Sequence, residues 1–292
     1  MLGMTEPAAT GALPRSPLTV AAAQAEAVPG DIPRNAAVAA DLVARAADEG
    51  AALVVLPELF LPAYHPPTLA AEPARCDVTA DETGQVTDPR LDPLRTAAQT
   101  HRAVIVVSAS VRQGPRRTLS ALVIEPDEEV RVGYDKQNLC GPHERDLFSP
   151  GRRPGRLTVA GWRWGLGICY DGCFPEHARA AALDGCHGML YPAAYLIGAE
   201  HRRDLYYAAR ALDNTSYVVV ADAVGGPAPW RFSGGSAIYD PEGRALERAP
   251  NTGTAVVVTT LDPVELARVR HEHTMLADLE YGSERGRDHQ LA

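Results

Sequence analysis

Three side chains in this sequence stand just past the ends of apolar, strand-like runs, where an α/β sheet exposes its reactive groups to a crevice. Glu58 follows LVVLP at 53–57, Lys136 follows VRVGYD at 130–135, and Cys169 closes WGLGI at 164–168. A thiol in that position, ahead of the helix start Phe174-Pro175-Glu176, can be activated by a helix dipole and free N–H groups. A carboxylate hemmed in by Ala51 to Leu56 on one side and Leu59-Phe60-Leu61 on the other acquires a raised pKa and can shuttle protons. Each residue also has an ordinary reading taken alone. An isolated cysteine is usually a small buried hydrophobe, and Cys76, Cys140, Cys173 and Cys186 keep that reading. Glu58 alone is a solvated carboxylate, and Lys136 alone is a surface charge.

The elements that must position these residues follow from apolar patterning. Leu18 to Gln24 reads as a buried strand, Asn35 to Glu49 as a helix closed by Gly50, and Ala51 to Leu56 as a second strand, which together make a βαβ unit. The same grammar recurs in a strand at Trp164 to Cys169, a helix at Glu176 to Asp184 and a strand at His187 to Tyr191. The segments EGAALVVLPE and DGCHGMLYPA, at 49–58 and 184–193, are similar enough to suggest an internal duplication. Between the units lie a helix at Leu91 to Thr100 and strands at Ala103 to Val111, Leu119 to Glu125 and Val130 to Tyr134. A helix at Arg202 to Asp213 and strands at Tyr217 to Asp222, Ser236 to Tyr239 and Thr254 to Thr260 follow. This alternation predicts an α/β layered fold with helices covering sheet faces.

Composition narrows the partners. The chain has 292 residues, 46% of them hydrophobic, and no Pro/Gly/Ser-rich linker divides it, which points to one compact domain. With a net charge of −9 and no basic block, it is not expected to bind nucleic acid. Its apolar runs are strand-length, so no membrane span is expected. Met1 to Ser16 lacks a basic start and a continuous apolar core, and reads as a flexible tail rather than a secretory signal. Five cysteines with no CxxC pair argue against a disulfide framework or zinc ribbon and for a reducing cytoplasm.

Together the motifs resemble the nitrilase, or carbon-nitrogen hydrolase, superfamily. Its Glu-Lys-Cys triad appears as VVLPELF around Glu58, YDKQNL around Lys136 and GICYDGCFPE around Cys169. HERDLFSPG, with Glu144 matching the additional site glutamate, RALDNTSYVVVAD and FSGGSAIYDPEGRAL extend the likeness from about Leu18 to about Leu261. The resemblance implies a four-layer α-β-β-α sandwich over 17–270, with tails at 1–16 and 271–292, the latter at a subunit interface of a homodimer or higher homo-oligomer. It also implies hydrolysis of a small non-peptide amide to an acid and ammonia through a thioester, with no metal and no cofactor. Glu58 would be the base, Cys169 the nucleophile, and Lys136 with the Tyr170 backbone N–H the oxyanion donors, while Glu144 would hold Lys136 and the substrate amide. Two departures are Asp222, where the family often has Asn, and Gln137-Asn138 after the lysine.

Within the family, Tyr170 after the nucleophile resembles the amidase and carbamoylase branches, and CYDGCFPE resembles aliphatic amidases and formamidases. The resemblance places Pro192, Ala193, Ala194 and Tyr195 against substrate, with Tyr64 and Phe148 as further lining residues. An N-carbamoyl amino acid amidohydrolase with the same triad is an alternative, for which Arg202 or Arg203 would bind a carboxylate. A remote alternative is a non-catalytic thiol-redox or metal-binding module using Cys169 and Cys173. His177 falls at helical spacing from both, but Pro175 interrupts that register.

Overall fold

The computed structural model describes residues 12–127 and 130–279. Its central strands, such as Leu18–Gln24, Leu53–Val55, Gly188–Ala193 and Tyr217–Asp222, are buried on both faces, which is why they read as continuous apolar runs rather than alternating ones. In strand Leu18–Gln24, Val20 and Ala22 face the second sheet, while Ala21 and Ala23 face helices. The pattern repeats in Leu53–Val55 and Val104–Gln113, and it sorts the molecule into layers.

One sheet runs in the order Ala255–Leu261, Leu18–Gln24, Leu53–Val55, Val104–Gln113, Arg116–Ile124, Val130–Asp135 and Gln85–Val86, with Asp77–Thr79 beside Val104–Gln113. The other runs Ala245–Arg248, Ala237–Tyr239, Tyr217–Asp222, Gly188–Ala193, Trp162–Leu166 and Gly155–Val159. Helices Ile32–Asp48 and Asp92–His101 cover the outer face of the first sheet, and Pro175–Leu183 and Glu200–Asp213 cover that of the second. The expected four-layer α-β-β-α sandwich is therefore present.

The duplication is visible in the topology. Each sheet has a core of three parallel strands joined by two helices, with Val20 opposite Leu53 and Leu53 opposite Val104 in one. In the other, Gly188 stands opposite both Trp164 and Tyr217. The matching segments at 49–58 and 184–193 supply the middle strand of each parallel core.

Some boundaries differ from the sequence expectation. The first helix starts at Ile32, because Pro33 fits a first turn and the Asp31 side chain accepts the Arg34 N–H at 3.2 Å. The strand before the nucleophile ends at Leu166, and Cys169 instead opens a 3₁₀ turn, Cys169–Cys173. Residues 1–11 and 280–292 of the two expected tails lie outside the described residues. Ser16 is tied down, its carbonyl accepting the Trp162 indole N–H at 2.8 Å. Beyond helix Pro263–Glu272, Leu276 is buried while Met275 and Leu279 are exposed. No described helix is long and apolar enough to cross a membrane.

Candidate active site

The two sheets contribute different parts of one cluster. Glu58 leaves the first sheet after Leu53–Val55, and its N–H donates to the Ala193 carbonyl of the second sheet at 3.2 Å. Lys136 follows Val130–Asp135 and is pinned by its own N–H donating to the Leu119 carbonyl at 2.8 Å. Glu144 lies on the short helix Gly141–Leu147, and its Oε2 accepts the Cys140 N–H at 2.8 Å. All three side chains are buried. The Lys136 ammonium donates to Glu58 Oε1 at 2.6 Å and to Glu144 Oε1 at 2.8 Å, and the Tyr64 hydroxyl donates to the same Glu144 oxygen at 2.8 Å.

Cys169 stands beside this group, close enough that Glu58, Lys136 and Glu144 all act on its thiol. Glu58 Oε2 is buried and makes no hydrogen bond of ordinary length with a described residue. That oxygen is the free lone-pair site of the cluster, with the thiol as its neighbour.

Burial pushes the Glu58 carboxyl up to about 8, against the opposing pull of the Lys136 ammonium. Burial alone would lower the Lys136 ammonium, but the facing Glu58 and Glu144 carboxylates outweigh it and hold it well above the ordinary lysine range. Burial, reinforced by Glu58, raises the Cys169 thiol well above its ordinary value, with Lys136 and the Ala194 N–H acting the other way. Burial thus favours the protonated sulfur, so its activation falls to a base such as the adjoining Glu58.

The turn that carries Cys169 is held by side chains that sequence reasoning passed over. Cys169 has φ +44°, a conformation that a non-glycine residue adopts only when its surroundings enforce it. Asp171 does much of the enforcing. Its Oδ2 accepts the Ile168 N–H at 3.0 Å and the Tyr134 hydroxyl at 2.9 Å. Its Oδ1 accepts the Asn138 backbone N–H at 2.8 Å and side-chain amide at 2.9 Å. One buried carboxylate thus ties the nucleophile turn to the loop after Lys136. The Tyr207 hydroxyl donates to the Cys169 carbonyl at 3.2 Å. Only the Asp in CYDGCFPE gave a hint of this, since its partners are distant in sequence.

The residues expected against substrate fall into different places. Tyr64 lines the cavity that touches Glu58. Ala194 offers its N–H to the Cys169 sulfur, while Pro192 and Ala193 are buried in strand Gly188–Ala193. Tyr195 packs against Tyr207 with ring centroids 6.0 Å apart and meets the Cys173 sulfur at 3.5 Å. Phe148 does not line that cavity; it packs in the core beneath the Arg117 guanidinium, 5.2 Å from the ring centroid, because the loop after Gly141–Leu147 turns inward there. Tyr170 N–H belongs to the first turn of the 3₁₀ segment, where leading N–H groups lack an intrahelical carbonyl.

Neither arginine is placed as a carboxylate receptor. Arg203 is buried and bonded to Ser233 at 3.0 Å, and to Asp222 and Asn251 at 3.3 Å each, while Arg202 is exposed. His177 faces the Tyr134 hydroxyl at 3.1 Å and that of Tyr191 at 3.4 Å. Among the described residues no three His, Cys, Asp or Glu side chains form a metal-holding group.

A four-layer sandwich with a buried Glu-Lys-Glu cluster and an adjoining cysteine on a strained turn defines a class, the thiol hydrolases of amides and related carbon-nitrogen bonds. The family model described as carbon-nitrogen hydrolase matches residues 19–271, and the chain belongs to that family. It is 32% identical over 234 residues to an (R)-stereoselective amidase of a Pseudomonas species, covering 77% of this chain and 78% of that protein. The fold is similar to a mutant of the Nesterenkonia AN1 amidase from the nitrilase superfamily, with TM-score 0.78, 28% identity and coverage of 94% and 99% of the two chains. A second structure of that amidase, showing Michael addition of acrylamide at the active-site cysteine, aligns with TM-score 0.75 and 29% identity over 87% of this chain and 97% of that one. The chain is an amidohydrolase that works through a cysteine intermediate.

Proposed function

We propose that this protein hydrolyses a small non-peptide amide to a carboxylic acid and ammonia, with Cys169 as nucleophile, Glu58 as base and acid, and Lys136 as oxyanion donor. The observation that carries the reading is the buried Glu58 carboxyl, one oxygen bonded to Lys136 and the other left over with the Cys169 thiol as its neighbour. Glu58 takes the thiol proton as the sulfur attacks the carbonyl carbon. Charge gathers on the former carbonyl oxygen, which the Lys136 ammonium and the Tyr170 N–H would receive. Glu58 then protonates the departing nitrogen, ammonia leaves, and the carboxylate removes a proton from the water that splits the thioester. Glu144 and Tyr64 keep Lys136 aimed throughout. An N-carbamoyl substrate is disfavoured because Arg203 is committed to Asp222, Ser233 and Asn251.

The five cysteines, none in a disulfide, support a reducing, cytoplasmic setting. Helix Glu200–Asp213 carries Leu205 and Leu212 outward, 57% and 49% exposed, which supports self-association into a homodimer or larger assembly. The test of the chemistry is ammonia release from short amides with mass detection of an acylated Cys169. Cys169→Ala is expected to abolish release with an unchanged melting temperature. Hydrolysis at the original rate would remove Cys169 from the mechanism.

A further inference from the structure

We infer that Asp222 is a positioning residue for the reaction: by holding the strand-end segment 193–195, it keeps the Glu58 base and the Cys169 sulfur at one spacing. This rests on the amide-hydrolase reading above and adds to it a residue outside the cluster of Glu58, Lys136, Glu144 and Cys169.

Three consecutive residues join the two halves of the site. The Ala193 carbonyl accepts the Glu58 N–H at 3.2 Å, and the N–H of the same peptide group, that of Ala194, faces the Cys169 sulfur. The Tyr195 hydroxyl meets the Cys173 sulfur at 3.5 Å, at the far end of the nucleophile turn. Its ring centroid lies 6.0 Å from that of Tyr207, whose hydroxyl bonds the Cys169 carbonyl. A shift of this segment is therefore passed to the base through a backbone bond and to the nucleophile turn through two aromatic side chains.

The sheet releases the segment at this point. Ala193 is the last residue of strand Gly188–Ala193 and stands opposite Asp222, with the Ala223 N–H donating to the Ala193 carbonyl at 2.9 Å. One more step of a parallel ladder would give the Tyr195 N–H the Ala223 carbonyl. That carbonyl instead accepts the Gly234 N–H at 2.8 Å, and Asp222 Oδ1 takes the Tyr195 N–H at 2.8 Å. The carboxylate thus stands in for a missing rung. Its other oxygen is anchored by Arg203 at 3.3 Å and the Ser233 hydroxyl at 3.2 Å, and its own N–H donates to Ser236 Oγ at 2.9 Å. Ser233, on the hairpin whose strands are Val224–Gly225 and Phe232–Ser233, also gives its N–H to the Tyr195 carbonyl at 2.8 Å. Asp222 is buried, and without its oxygen the Tyr195 N–H has no acceptor among the described residues, a state the segment can relieve only by moving.

The test is kcat and KM for ammonia release from short amides by the full-length protein, together with the rate at which iodoacetamide alkylates Cys169, located by peptide mass. Asp222→Asn keeps an oxygen for the Tyr195 N–H, whereas Asp222→Ala removes it. We expect Asp222→Ala to lower kcat at least about 30-fold with KM within about 3-fold of the parent. It should also slow alkylation at least about 10-fold, since the Ala194 N–H favours the thiolate that reacts. Asp222→Asn should bring both rates back to within about 3-fold of the parent, even where its melting temperature falls. The same pair is made with Arg203→Met, which removes the buried charge that Asp222→Ala leaves short of a partner, so the comparison survives if the single alanine variant does not fold. Equal kcat and equal alkylation in folded asparagine and alanine variants, in either background, overturn this inference and leave the hydrolase reading standing. A parent protein that releases no ammonia from any amide, with alkylation still slowed in the alanine variant, overturns the hydrolase reading and leaves the positioning of the sulfur standing.

Discussion

Glu58 has to accept a proton from sulfur, donate it to nitrogen and accept another from water, so its affinity for protons must lie near the working pH. Burial sets it there, at about 8, with the Glu144 carboxylate pushing in the same direction and Lys136 restraining both. Because Glu58 must be ionised to act as base, kcat/KM should climb with pH and level off above about 8. Lys136 stays charged throughout that range, so it contributes no falling limb there. Glu144→Gln removes one of the charges that raise Glu58, and should move the rising limb to lower pH while lowering the plateau. A profile flat from about pH 6 to 9, or a limb unmoved in Glu144→Gln, would show that the titrating group is not Glu58. Glu58, Lys136 and Cys169 were legible because each follows an apolar, strand-like run. Asp171 was not, since its role consists of bonds to Ile168, Tyr134 and Asn138, three segments that only the fold brings together.

At the scale of elements, the nucleophile turn depends on how closely helix Glu200–Asp213 approaches it. A Cβ on Gly172 would lie 2.6 Å from the Tyr207 ring, the same ring whose hydroxyl holds the Cys169 carbonyl. Gly172→Ala should displace Tyr207 and, through it, the sulfur, lowering kcat by about 100-fold for roughly 1–3 kcal/mol of stability. Acyl-enzyme kinetics and a thermal melt on one preparation check this, and an unchanged kcat would show that Tyr207 does not fix the turn. The sequence announced the parallel cores of both sheets, because strands covered on both faces must be apolar throughout. It did not announce hairpin Val224–Ser233 or helix Gly141–Leu147: two-residue strands and a seven-residue helix carry too little periodicity to be read. Cys169 was expected to end a strand, whereas Gly167 lets the chain leave the sheet early, its missing Cβ clearing Tyr191 by a position only 2.4 Å from that ring.

For the molecule as a whole, acid sensitivity has a source remote from the catalytic cluster. His187 is buried beside Arg163 and Arg270, and its Nδ1 accepts the Arg163 N–H at 3.0 Å. Burial, then the two guanidinium groups, lowers its pKa from the ordinary 6.5 to about 4. The unfolded chain therefore takes up a proton near pH 6.5 that the folded chain refuses until about pH 4. This contribution to stability is present above that window and lost as pH falls through it, by on the order of 3 kcal/mol at most. Melting temperatures from pH 7.5 to 4 should fall less steeply in His187→Gln, and an identical decline in the variant would assign the sensitivity elsewhere.

The first and last strands of the sandwich are partners, with Leu18 opposite Leu261 and Gln24 opposite Ala255. During synthesis this leaves one edge of strand Leu18–Gln24 with an open row of backbone donors and acceptors until Ala255–Leu261 has been made. No local hairpin can shield that edge, and closure waits on a segment that the ribosome delivers long after it. Insoluble product should therefore track translation speed between those two strands more closely than it tracks the equilibrium stability of the folded enzyme.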